Sequence, residues 1–261
     1  MTLFLHEIKR GKLALIVWSA AVSFLLGVSI LIYPEMTAQM GDIGDMFSNM
    51  GAFTDAFGMG NVNFGEFSGY FAVEFGNTMG LAGGMFAAIL GIAALADEER
   101  NRTAEFLLAH PVSRVQIVAQ KLLAIVAKLL AFNVAVFGIS LIAMLAIGER
   151  ADFGDVALVF FAYLLLQWEI ALIAFGVSAF LRGGSIAIGI GASLGLYFAN
   201  ILANLADELK FLKYLTPYGY ADATAIVSDG AICVKYLLPG LLFASLGVFV
   251  AFWQYNRKDI A

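Results

Sequence analysis

The chain has 261 residues, of which 61% are hydrophobic and only 13% are charged, and its net charge is −5. Its mean hydropathy is +0.88. Soluble domains carry about 25% charged residues, and a soluble fold of this length could not bury so much apolar surface. The composition therefore predicts an integral membrane protein, excludes a soluble enzyme and gives no support for nucleic-acid binding.

Residues 2–11 come first and mix apolar with charged side chains, which predicts a short helix lying on the membrane surface. Six apolar runs follow, each long enough to cross a hydrocarbon core of about 30 Å as a helix. We place the spans at 13–33, 70–96, 122–147, 156–181, 185–206 and 237–253. Helices are expected because backbone groups in lipid must be satisfied within their own segment. The predicted fold is an all-α integral membrane protein in one domain over 1–261.

Six spans would place both termini on one side of the membrane, together with the loop at 97–121. Lysine and arginine residues gather on that side, and most acidic residues gather on the other. The positive-inside rule then predicts cytoplasmic termini and a multi-pass protein of the plasma membrane. The first apolar run is too long for a signal peptide, so we expect it to be retained as a span.

The longest loop outside the spans is predicted at 34–69, on the outer side. Methionine and phenylalanine recur in it at helical spacing, at Met46, Met50, Phe53 and Phe57. The pattern is typical of an amphipathic helix that rests on the outer leaflet or on a partner subunit. Simple packing over the outer helix ends accounts for it as well.

The segment DEERNRTAEFLLAHPVSRVQIVAQK, from Asp97 to Lys121, interrupts two strongly apolar runs. Its first half reads as a short amphipathic helix that Pro111 prevents from continuing, and Ser113 can cap a second helix over 115–121. The product is a helix–turn–helix elbow on the cytoplasmic side. Phe106 and Leu107 could enter a groove on a soluble partner, or the segment could be a solvated loop.

The fourth span contains two polar side chains, Gln167 and Glu169, in LLLQWEIALIAF. Polar groups are costly in lipid, so each should face another helix or a cavity, and both are candidates for the translocation pathway. Glu169 is either an acid of the translocation pathway, contacting substrate or carrying protons, or a buried acid that packs between helices. In the outer segment 207–235, aromatic residues are expected to anchor the chain at the membrane interface. They are Phe211, Tyr214, Tyr218 and Tyr220.

Sequence patterns of catalysis are missing from the chain. It has no phosphate-binding loop, no metalloprotease histidine pair and no Gly-x-Ser-x-Gly elbow. Two histidines are too few for a histidine-based metal or acid–base site. We therefore expect no enzymatic activity and no cofactor on this chain.

The segment EERNRTAEFLLAHPVSRVQIVAQKLLA resembles the signature of ABC-transporter permeases of the type-2 exporter family. It has the acidic pair, a basic residue, Thr-x-Glu-Phe-Leu-Leu, Pro-Val-Ser-Arg and a lysine before the next span. The surface helix before span one, the Leu-x-Pro-Tyr stretch at Leu215–Tyr218 and the Asn-Arg-Lys-Asp-Ile ending at Asn256–Ile260 agree with it. In layout the resemblance covers the whole chain.

The resemblance implies that the 97–121 element contains a coupling helix that docks on a separate ATP-binding cassette subunit. The docking and turn residues would be Glu98, Glu99, Arg100, Thr103, Glu105, Phe106, Leu107, Pro111, Val112, Ser113 and Arg114. It further implies a second permease copy or homologue, with ATP and Mg²⁺ bound to the partner ATPases and membrane lipid around the spans. The expected cargo is amphiphilic, namely a drug, an antibiotic peptide or a lipid-like molecule.

Two other functions fit the same sequence. One is a proton-coupled secondary transporter that uses Glu169 and needs no ATPase. The other is a membrane immunity or scaffold protein that transports nothing.

Overall fold

The structure is a computed structural model that describes residues 2–38, 51–56, 62–63, 65–100, 112–149, 152–181 and 186–258. All regular structure in these ranges is helical, with no strand. The α-helices are α1 Thr2–Arg10, α2 Lys12–Ala38, α3 Gly51–Ala56, α4 Phe67–Thr78, α5 Gly84–Arg100, α6 Arg114–Ile147, α7 Phe153–Ser178, α8 Ile186–Leu205, α9 Ala223–Asp229 and α10 Val234–Arg257. A π-helical turn at Met79–Gly83 joins α4 to α5, and 3₁₀ turns cover Asp207–Tyr214 and Pro217–Gly219.

Six helical stretches are long and apolar enough to cross a membrane: α2, the joined α4–α5, α6, α7, α8 and α10. The six predicted spans and the all-α class are thereby confirmed. Of the expected amphipathic helix in 34–69, Met46, Met50 and Phe57 lie outside the described residues.

Helix α6 begins at Arg114 instead of at residue 122 and runs to Ile147 over 34 residues. At 1.5 Å per residue it is about 50 Å long, which exceeds the hydrocarbon core, so its first turns extend beyond the membrane. Ser113 caps it as predicted, since its hydroxyl accepts from the Gln116 N–H at 3.2 Å and the Gln116 side chain accepts from the Ser113 N–H. The separate helix expected at 115–121 is therefore the beginning of α6.

Helix α7 is the centre of the bundle and packs against α5 on one side and α10 on the other. It approaches α10 closely at Gly176 and Gly247, where a Cβ on either residue would overlap backbone atoms of the other helix. Such small-residue crossings are common between membrane helices because they let backbones meet. Helices α2, α8 and α10 expose apolar side chains such as Phe24, Phe198 and Phe249 on their outer faces, as expected for surfaces that contact lipid.

Both termini lie at the same end of the bundle, which we call the terminal end. Here the N–H of Phe4 donates to the Gln120 side chain at 3.1 Å, which places α1 against the first turns of α6. Arg114 contacts the last residues of α10, including the Lys258 carbonyl at 2.7 Å. The opposite end, which we call the loop end, carries the connection from α8 to α10.

The α8–α10 connection does not stay on the surface of the loop end. The Thr216 hydroxyl donates to the carbonyl of Leu196 at 3.1 Å, nine residues before the last residue of α8, which is about 13 Å into the bundle. We call residues 215–222 the re-entrant segment. Non-helical backbone is tolerated at such depth where protein buries it, and Thr216 through Ala221 are buried.

The expectation that Tyr218 and Tyr220 anchor the chain at the membrane interface is therefore wrong. They are only 3% and 2% exposed, whereas Phe211 in the preceding turn is 56% exposed. The buried hydroxyls have partners inside the protein: Tyr218 donates to the Gly80 carbonyl at 2.7 Å, and Tyr220 donates to Glu169 at 2.9 Å. Because both hydroxyls are satisfied, their burial between helices is favourable.

Candidate functional site

The predicted docking element lies at the terminal end, between α5 and α6. Among its residues, Thr103, Glu105, Phe106, Leu107 and Pro111 lie outside the described part of the chain. Backbone positions alone are described for Glu98, Glu99 and Arg100, which form the last turn of α5. Val112, Ser113 and Arg114 lead into α6. The structure therefore shows the two flanks of the element, and its docking role stays a prediction.

Helix α1 joins these two flanks. The Lys121 ammonium of α6 contacts the Glu7 carboxylate of α1 at 3.1 Å and donates to the Ala94 carbonyl of α5 at 2.8 Å. Arg10 of α1 forms a longer ion pair with Asp97 of α5, at 3.5 Å. Since Lys121 is only 2% exposed, this junction is part of the packed structure. The helix predicted at the membrane surface thus also connects α5 to α6.

Arg114 connects the same element to the end of the chain. Its guanidinium donates to the carbonyls of Tyr255 and Asn256 at 3.2 Å and of Lys258 at 2.7 Å. Carbonyls at a helix C-terminus lack intrahelical donors, and a cation there also interacts favourably with the helix dipole. Lys258 in turn donates to the Leu181 carbonyl just beyond α7, at 2.7 Å. These contacts link the beginning of α6 to the ends of α10 and α7.

The sequence predicted Arg114 in the turn of the docking element and did not indicate its contact with α10. A basic residue near the end of its own helix is a recognised capping signal, but here the cation comes from a helix more than 140 positions away in the chain. No pattern within a short stretch of sequence indicates a contact between residues so far apart in the chain.

Glu169 lies deep in the bundle, where α7, α10 and the re-entrant segment meet. Its carboxylate is 4% exposed and accepts from the Tyr220 hydroxyl at 2.9 Å. Gly240 of α10 packs directly against this carboxylate, and any side chain there would overlap its oxygens. A tyrosine hydroxyl is protonated at neutral pH, so Tyr220 is the donor in this contact.

Gln167 faces the opposite side of α7, because positions two apart on a helix point about 200° apart. Its carbonyl oxygen accepts from the Asn133 side chain of α6 at 2.7 Å, and its amide nitrogen lies against Gly83 in the π-helical turn. Within the described residues, Gln167 Nε2 and Asn133 Oδ1 are buried with no hydrogen-bond partner. The structure does not bring Gln167 and Glu169 together, and a pathway role for either stays a prediction.

Comparison with known proteins identifies a family and a relative. Residues 1–260 match the family described as ABC-2 family transporter protein. The chain is also similar to an uncharacterized protein of Bacillus subtilis (strain 168), YhcI, with 23% identity over 204 residues. The match covers 68% of this chain and 64% of the relative, so it spans less than two thirds of the relative's length.

Proposed function

Because the chain belongs to the ABC-2 family of transporter proteins, we propose that it is the membrane-spanning subunit of an ATP-driven exporter. The family membership confirms the resemblance noted in the sequence and makes the chain a multi-pass membrane component of a transporter. In the proposal, a separate ATP-binding subunit carries ATP and Mg²⁺ and docks on the 98–114 element. The terminal end then faces the cytoplasm, and the cargo is an amphiphilic drug, antibiotic peptide or lipid-like molecule.

The network at the terminal end is the observation that supports this proposal. It connects both flanks of the 98–114 element to α1 and to the ends of α7 and α10. The residues that make these contacts are Glu7, Arg10, Lys121, Arg114 and Lys258. Movement of a subunit docked on this element would therefore displace four spans together. A solvated loop that binds no partner would not require these contacts.

Rigid helices would carry this displacement across the membrane. Helix α7 packs on both α5 and α10, and its Glu169 carboxylate contacts the re-entrant segment through Tyr220. Movement imposed at the terminal end would thus reach the segment that fills the loop end. In the proposal, this segment is displaced when ATP closes the two partner ATPases, and Glu169 lies beside the cargo's route.

A second permease copy is proposed to pack along α8. The residues Ala187, Gly191 and Gly195 are exposed at intervals of about one turn. Among the described residues, no atom lies within 4 Å of a Cβ position at Gly191 or Gly195. Exposed small residues at this spacing allow another helix to approach closely in lipid.

The pairing along α8 is tested by disulfide cross-linking in membranes. With the single native cysteine removed by Cys233→Ser, Gly191→Cys should form a covalent dimer upon mild oxidation. The control is Ile142→Cys on α6, also an exposed apolar position, which should remain monomeric. Equal cross-linking at the two positions would argue against this interface.

The ATP-driven mechanism is tested by copurification in mild detergent. We expect an ATP-binding subunit to copurify with the wild-type chain, and Glu105→Ala/Phe106→Ala to abolish this association. The control is Glu208→Ala, an exposed acid at the loop end, which should leave assembly intact. If the double variant kept both the complex and its ATPase activity, the docking assignment would be wrong.

Proton-coupled transport remains the second candidate, because Glu169 is a buried carboxylate that contacts the re-entrant segment through Tyr220. It predicts uptake or efflux by proteoliposomes that contain this chain alone, driven by a pH gradient and abolished by Glu169→Gln. The ATP-driven proposal predicts no transport without the ATPase. The non-transporting alternative is disfavoured by membership in a transporter family.

A further inference from the structure

A partly enclosed polar cavity of about 50 Å³ lies toward the loop end, between α4, α7, α8 and the re-entrant segment. A buried water needs about 10–15 Å³ of cavity volume. The cavity therefore has room for about three to five waters or for one small polar group, but not for a whole amphiphile. Its polar lining includes Asn77, Tyr163, Tyr197, Asn200, Tyr218 and Asp222.

The cavity has a negative charge and no positive one. Asp222 is the single charged side chain among the described residues that line it, and no lysine, arginine or histidine does so. The carboxylate is held in place because its Oδ1 accepts from the Thr224 hydroxyl at 2.7 Å and from the Ala225 N–H at 3.2 Å, where it caps α9. An anionic group in this space would be repelled.

A residue that lines this space, Asn200, also has a buried hydrogen-bond acceptor. Asn200 Oδ1 is shielded from solvent and has no hydrogen-bond partner among the described residues. The corresponding atom of Asn77 differs, since it accepts from the Tyr197 hydroxyl at 3.1 Å. Leaving a buried acceptor unpaired is unfavourable, so the Asn200 oxygen would be stabilised by a ligand that donates a hydrogen bond.

Tyrosine rings form much of the remaining wall. Tyr197 and Tyr218 meet edge to face with centroids 5.5 Å apart, and Tyr163 lines the cavity from α7. Aromatic faces attract cations, and the attraction is stronger where water is excluded. A carboxylate, an unpaired amide oxygen and aromatic rings together are suited to a cation that also donates hydrogen bonds.

We propose that this cavity binds a primary ammonium group. An ammonium has three donors and no acceptor, which matches the carboxylate and the unpaired oxygen, and its small size matches the volume. The group could belong to an amphiphilic amine that is exported or to the head group of an aminophospholipid. Binding itself does not depend on the proposed function, whereas a role of the cavity in recognising cargo does.

The test uses the chain alone in phosphatidylglycerol nanodiscs, with propylammonium as probe and empty nanodiscs as blank. Propylammonium should bind in saturation-transfer NMR titrations, while 1-propanol and propionate, which have the same chain, should bind at least about tenfold more weakly. Equal binding of 1-propanol would overturn the proposal, because the site would then recognise size and not charge.

Variants separate recognition from folding. Asp222→Asn removes the charge but keeps a good N-cap residue, and it should weaken propylammonium binding about tenfold. The matched control is Asp229→Asn, exposed at the other end of α9, which should leave the dissociation constant unchanged. Asn200→Leu should abolish binding, whereas Asn200→Asp should tighten it, an effect that a purely structural role of Asn200 would not produce. Unchanged affinity in Asp222→Asn would contradict the proposal.

The two sources of the ammonium group are distinguished in nanodiscs that contain phosphatidylethanolamine. If the lipid head group occupies the cavity, propylammonium will bind more weakly there, and native mass spectrometry will find this lipid retained by the wild type but not by Asp222→Asn. If a free amine is the ligand, the dissociation constants in both lipids will agree. Because no ATPase is present, failure of these assays leaves the copurification result unaffected, and the reverse is also true.

Discussion

Different kinds of contact stabilise the two ends of the bundle. At the terminal end, ion pairs and cationic caps on helix C-termini connect the elements, as at Lys121–Glu7 and Arg114–Lys258. At the loop end, neutral tyrosine hydroxyls donate to a carbonyl and a carboxylate inside the apolar bundle, at Gly80 and Glu169. The partly exposed ion pair of Arg10 with Asp97 can be remade when a partner docks, whereas hydroxyl links buried in the bundle hold a segment in place until the helices around it move.

The largest effect should come from the loop end. Tyr218→Ala removes a buried ring and its hydrogen bond, and large-to-small changes of aromatic residues in cores cost about 3–5 kcal/mol. We expect the free energy of unfolding in mixed micelles to fall by that amount. Phe211→Ala, in the exposed part of the same connection, should change it by less than about 1 kcal/mol. Equal losses would show that the re-entrant segment is not packed as described.

The buried ion pair at the terminal end should rank second. Lys121→Met leaves the Glu7 carboxylate without its partner, and breaking a buried pair costs about 3–5 kcal/mol. Because Glu7 keeps some contact with water, we expect about 2–3 kcal/mol, measured by chemical unfolding. Adding Glu7→Gln should recover much of the loss, since no unpaired charge then remains. Additive losses in the double variant would contradict a direct pairing.

The helix cap formed by Arg114 should have a smaller and more local effect. Arg114→Ala removes three charge-assisted hydrogen bonds from the end of α10, and we expect a loss of about 1–2 kcal/mol. Hydrogen exchange measured by mass spectrometry should speed up in residues 250–258 and in few other places. Arg257→Ala is the control, because that side chain stacks on Trp253 and not on the helix end. Exchange that stays slow in Arg114→Ala would refute the cap.

The smallest expected effect is a difference between the two ends in how the stability of variants depends on salt concentration. Arg10→Gln breaks an ion pair whose side chains are 35% and 20% exposed, and such pairs contribute about 0.2–1 kcal/mol. That loss should vanish in 1 M salt, where the screening length is about 3 Å. Tyr220→Phe should cost about 1 kcal/mol at any salt concentration, as thermal unfolding can show. A salt-dependent Tyr220→Phe effect would place the Glu169 contact in water.

The candidate site could be predicted only in part, because some of its contacts join residues close in sequence and others join distant helices. Ser113 and Gln116 lie three positions apart, so their capping box could be foreseen from a short window. The opposite orientation of Gln167 and Glu169 also follows from helical spacing, although both were predicted for the translocation pathway. In contrast, the unpaired buried oxygen of Asn200 and the cap from Arg114 depend on which helices become neighbours, and hydropathy contains no information about that.

The amino-acid sequence was sufficient to predict the membrane-spanning character of this protein, its six spans, the placement of both termini at one end and its family. These properties follow from the length and polarity of continuous segments and from one contiguous motif. Packing of the helices was needed to show that Tyr218 and Tyr220 enter the bundle, that α1 joins α5 to α6, and that a polar cavity lies behind the re-entrant segment. The physical reason is that tyrosine is equally suited to a membrane interface and to a buried hydrogen bond, and the choice depends on whether a carbonyl such as that of Gly80 lies within reach.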